Sequence, residues 1–167
     1  MKAKLGVIAL TVAGLLMATG TLWAHHSDAV YDQTRLVAVS GTVAEHQFVN
    51  PHQVIKLKVK DADGKVTAWL LVGAAVSRNI AAGWTKDTLQ AGDEVKVWGF
   101  QYRDGRPNMT WMQMMKPDGK LLPIAGAKND KLARYLATYG KEQLSPEDYA
   151  VLQRALTWIG DPETQQR

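Results

Sequence analysis

The stretch QVIKLKVKDADGKVTAWLLVG, residues 53–73, decides the fold class. Val54, Lys56, Lys58 and Lys60 alternate with Ile55, Leu57 and Val59. That period of two is the mark of a strand with one face buried. The Asp-Gly pair at 63–64 signals a tight hairpin turn, after which KVTAWLLVG returns antiparallel to the first strand.

Upstream, RLVAVSGTVAEHQFVNPH carries the β-branched Val37, Val39 and Val43, interrupted by Gly41. It predicts a long strand bent or bulged at Gly41, with a turn at Asn50–His52. Downstream, AAVSRNIAAGW predicts a short helix ending near Gly83. LQAGDEVKVWGFQYRDG and NMTWMQMMKPDGKLLPI predict two more strands, with turns at Gly92–Asp93, Asp104–Gly105 and Asp118–Gly119. Five short strands with tight turns imply a mainly β fold: a small five-stranded antiparallel barrel-like (OB-like) domain over residues 35–126.

The pattern changes after Gly126. Leu132, Tyr135, Leu136 and Tyr139 share one helical face, and Tyr149, Leu152, Leu156 and Ile159 share another. Ser145 is placed to cap the second helix, with Pro146 in its first turn. A C-terminal helical hairpin is expected over 127–160, followed by a short tail, 161–167.

Residues 1–24 have Lys2 and Lys4, then an apolar run, then the small Ala24. This is the layout of a signal peptide; the run is short for a membrane span. The expectation is an exported, periplasmic protein with no stable transmembrane segment after cleavage, opening on an N-terminal arm, 25–34. Losing Lys2 and Lys4 lowers the net charge from +4 to +2. So small and evenly spread a charge speaks against a nucleic-acid partner. With no cysteine in the chain, thiolate metal sites and cysteine nucleophiles are excluded.

AHHS, GTVAEHQFVNPHQVIKLKVKDADGKV, GWTKDTLQAGDEVKVWGFQYRDG and PDGKLL together resemble the DUF6152 family, over about residues 24–124. The resemblance implies a small exported bacterial protein with a compact β-domain. It implies no particular chemistry.

The candidate site residues are clustered. His25, His26, His46 and His52 are all the histidines of the chain. A free amine at His25 with its imidazole and a second ring would form a nitrogen-rich set suited to copper(II); imidazole also suits zinc. The competing reading is two solvated histidines on the arm, His46 packed beside Phe48, and His52 bonded within its turn. NMTWMQMM holds Met109, Met112, Met114 and Met115. On a regular strand Met112 and Met114 face the same way, a pair of soft ligands for copper(I); core filling is the alternative. Trp84 and Trp111 are candidates for an aromatic ligand surface. Lys56, Lys58 and Lys60 share one strand face and read as solvated.

No catalytic constellation emerges. Adjacent His26 and Ser27 lack triad geometry, Glu45 and His46 alternate across a strand, and GAAVSRN has no phosphate-loop lysine. The expectation is an exported, non-catalytic binding protein of the envelope, with copper or another divalent metal as candidate cofactor. The alternative is a protein- or small-molecule-binding module with an aromatic surface and no metal.

Overall fold

The computed structural model describes residues 28–157. A short 3-10 turn spans Asp28–Val30. The remaining elements are β1 (Tyr31–Gln47), β2 (His52–Lys60), β3 (Val66–Ala75), α1 (Val76–Ala81), β4 (Glu94–Tyr102), β5 (Asn108–Met115), α2 (Gly126–Tyr135) and α3 (Pro146–Thr157). A π-helical segment, Leu136–Gly140, and a last turn, Lys141–Gln143, extend α2. The leader 1–24, His25, His26 and the tail 161–167 lie outside the described residues.

Strand β1 pairs antiparallel with β2 on one side and with β4 on the other, so the order β1-β2-β3-β5-β4 returns to its start. The expected antiparallel, OB-like barrel is corrected by the strand directions. The sheet is mixed, because β3 and β5 run parallel, Leu70 facing Asn108 and Val72 facing Thr110. An odd number of strands cannot alternate in direction all the way round a ring, so one neighbouring pair must be parallel. Here that pair is short and sits between strands separated in sequence by α1 and β4.

The alternation of β2 is realised: Ile55 and Leu57 are fully buried while Lys56 and Lys58 are exposed. Gly64 takes a φ of 83°, the left-handed conformation that the Asp-Gly turn requires. At Gly41 the strand carries no bulge. Instead, a Cβ there would lie 2.3 Å from the Lys58 carbonyl oxygen, so the residue permits a close approach of β2. The register shift on β1 falls between Val43 and Glu45.

Two apolar cores result. One fills the interior of the sheet with Ile55, Leu57, Leu71, Trp84, Val97 and Trp111. The other lies under the helices and joins Trp98, Phe100 and Met112 to Leu132, Tyr135 and Leu152. The amphipathic stripes of α2 and α3 thus cover the outer face of β4 and β5. Ser145 Oγ accepts from the Asp148 N–H at 3.1 Å, capping α3. Gly140 lets the helices close, since a Cβ there would meet the Tyr149 ring at 2.8 Å.

Candidate functional site

His46 lies late in β1, paired with Ile55, and is half-buried. Its Nε2 is 2.8 Å from the Gln53 amide nitrogen, and its Nδ1 is 3.1 Å from the Leu89 carbonyl oxygen. The Asn79 amide donates to Gln53 Oε1 at 2.9 Å. That bond orients the Gln53 amide so that its N–H₂ donates to His46 Nε2. The Nδ1–H then donates to Leu89, which fixes a neutral tautomer. Gln53 and Asn79 are both fully buried. Gly73 makes room for this chain, because a Cβ there would lie 2.7 Å from Gln53 Oε1.

Burial pushes the His46 pKa below its ordinary value, outweighing the hydrogen bonding to the Leu89 and Lys86 backbone that raises it. The unfolded chain therefore binds more protons than the folded one between the lowered folded value and about 6.5. Stability should hold above about pH 6.5 and fall as the pH drops through that window, by at most about 1.4 kcal/mol per pH unit. Urea denaturation across pH 4.5–8 would show the slope, and His46→Gln should flatten it.

The metal-binding and copper readings are corrected by this geometry. Among the described residues no group of three or more His, Cys, Asp or Glu is placed to hold a metal ion. Both ring nitrogens of His46 face protein partners. His52 opens β2 opposite Ala75 and is not among those partners. Met112 and Met114 do not share a face. Trp98 faces Gln113 but Gly99 faces Trp111, so Met112 is an extra residue that flips the alternation. Met114 enters the interior core with Trp111, whereas Met112 packs beneath the helices; both are buried.

Trp84 and Trp111 are brought together, 5.4 Å between ring centroids, but inside the domain, at 1% and 0% exposure. His46 lies 6.0 Å from Trp84 and 5.6 Å from the half-buried Phe48. The Trp84 Nε1–H donates to the Pro123 carbonyl at 2.7 Å, which satisfies its one donor.

A second aromatic row reaches the surface only at the half-buried Tyr139; its other members, Phe100 and Tyr135, belong to the core, at 2% and 3% exposure. Phe100 of β4, Tyr135 of α2 and Tyr139 of the π segment stand in sequence, 5.7 and 5.6 Å apart. They line a cleft of about 140 Å³ with Gln33, Lys131 and Arg134. Tyr135 Oη donates to Gln143 Oε1 at 3.0 Å, and burial pushes its phenol pKa up. Arg134 makes no ion pair among the described residues. The arrangement offers the part-exposed Tyr139 ring beside an exposed guanidinium, which can hold a planar anion. The helical periodicity placed Tyr135 and Tyr139 on one face; that Phe100 would meet them had no local signal.

A family model described as a family of unknown function, DUF6152, matches residues 13–111, more than half of the chain. The chain belongs to the DUF6152 family. No curated protein matches it. Among solved structures, the S. pombe Stn1-Ten1 complex is similar at 12% identity and a TM-score of 0.37, over 72% of this chain and 77% of that one. A likeness at that level informs neither fold nor function. The DUF6152 match takes in His46, Gln53, Asn79 and Phe100 but ends before α2, so the helical wall of the cleft lies beyond it. Among the described residues of this DUF6152 protein, no helix is long and apolar enough to cross a membrane.

Proposed function

We propose that this protein is a non-catalytic binding module that works without metal, holding a small planar anion in the cleft between β4 and α2. The observation that carries this is the half-buried Tyr139 ring, backed by the buried Phe100 and Tyr135, beside the Arg134 guanidinium, which makes no ion pair among the described residues. A ring inserted there stacks on tyrosine, and a carboxylate on that ring meets the guanidinium in a charge-assisted bond. The setting is the envelope of an exporting cell, a reading supported by the signal-like pattern of residues 1–24.

The test is a titration with 4-hydroxybenzoate in the presence of a chelator, followed by NMR. Saturable shifts should appear on Tyr139 and Arg134. Arg134→Gln with Tyr139→Ala should weaken binding by roughly tenfold or more. Shifts indifferent to that double variant, or no saturation at millimolar ligand, would overturn the assignment.

A further inference from the structure

A second depression crosses the outer face of the sheet, where β1 runs between β2 and β4. It has a volume of about 460 Å³. Its floor is Ser40, Gly41 and Thr42 of β1; Lys58 and Lys60 of β2 border one side, Glu94 and Lys96 of β4 the other, and Lys116 closes the end.

The register explains why these groups meet. Thr42 faces Lys58 across one flank and Glu94 across the other, and Ser40 faces Lys96. Directly opposed residues hold their Cβ atoms about 4.5–5.5 Å apart. Three strands thus bring three ammonium groups and two hydroxyls to one groove, and Lys116, just past β5, brings a fourth. Gly41 lies between the two hydroxyl residues with its Cα side toward the interior, opposite the buried Val95, and its lack of a side chain lets β2 approach closely, since a Cβ there would collide with the Lys58 carbonyl.

The lysines are not equivalent. Lys96 is tied to Asp148 at 2.6 Å and Lys116 to Asp93 at 3.3 Å. Lys58 and Lys60 are exposed, and their ammonium groups make no hydrogen bond or ion pair among the described residues. Alternation places them two residues apart on one face. Two like charges held this close, with two further cations nearby, favour a ligand with more than one negative charge. Glu94 is the one acidic residue lining the groove and works against such a ligand.

We infer that this groove is a binding site for a compact oxyanion with at least two negative charges, the chemistry of a phosphoryl group. Lys58 and Lys60 supply the free cations, and Ser40 and Thr42 supply hydroxyl donors beneath them. The site is separate from the aromatic cleft and does not depend on it.

Calorimetric titration with inorganic pyrophosphate at low ionic strength tests the inference, beside flotation with vesicles of phosphatidylglycerol or of phosphatidylcholine alone. The Lys58→Gln/Lys60→Gln double variant should weaken pyrophosphate binding by roughly tenfold or more, and Glu94→Gln should strengthen it. Raising the salt to 0.5 M should weaken it further, because the groove is open to solvent. Vesicle binding that requires phosphatidylglycerol and is lost in the double variant would support the same site with a lipid headgroup as the source. An unchanged far-ultraviolet spectrum certifies the fold of both variants. Pyrophosphate and vesicle binding both absent, or both indifferent to the lysine and Glu94 substitutions, would overturn the proposal.

Discussion

Trp111→Ala should cost the domain about 3–5 kcal/mol of stability, the range for removing a large ring from a packed interior. Trp111 is fully buried, with its ring against Trp84. The Lys128 ammonium also sits over the ring, 3.9 Å from its centroid. Lys128 is itself 7% exposed. Truncation therefore opens a cavity and also removes the π face from a buried cation. Trp111→Phe keeps a ring in place and should cost less. Urea denaturation monitored by circular dichroism would measure both. A loss below about 1 kcal/mol in the alanine variant would show that the ring is not a core element.

Gly73→Val should destabilise by about 3 kcal/mol or more, for a different reason. Gly73 is buried, and the first added carbon would lie 2.7 Å from Gln53 Oε1 and 2.9 Å from Gln53 Cβ. Gln53 is fully buried and held on both sides, so its bonds to His46 and Asn79 must break or the strands must part. Breaking them strands buried polar groups. Combining Gly73→Val with Gln53→Ala separates the two costs: if the collision is the cause, the double variant should be more stable than the sum of the singles predicts. Simple additivity in that cycle would contradict the role given to Gly73.

The features legible in the sequence are those governed by near neighbours. The alternation of residues 54–60 and the Asp-Gly turn at Gly64 appear as read. So does the Ser145 cap on α3. What escaped reading depends on chain segments far apart. The parallel contact of β3 with β5 follows from the closure of the whole sheet, not from any local pattern. One inserted residue, Met112, moved a side chain from one core to the other, and no composition rule marks where a strand will bulge. Gln53 looked like an ordinary polar residue at the start of a strand. Its burial depends on Gly73 and Asn79, which sequence alone does not connect to it. The lysines of β2 were visible as a row, but the groove needs Lys96 of β4 and Lys116 just past β5.

The three-pair contact between β3 and β5 has a mechanical corollary. Past Val72 and Thr110 the two strands are no longer paired, and the Lys128 ammonium reaches the carbonyl oxygens of both Val72, at 3.4 Å, and Trp111. One side chain from the first turn of α2 thus rivets together the two lips of the shortest joint in the ring. The C-terminal helices are, in that sense, a fastener for the hoop they rest on. A chain trimmed before residue 126 would leave those two oxygens without their shared donor, and the hoop free to spring open where it is thinnest.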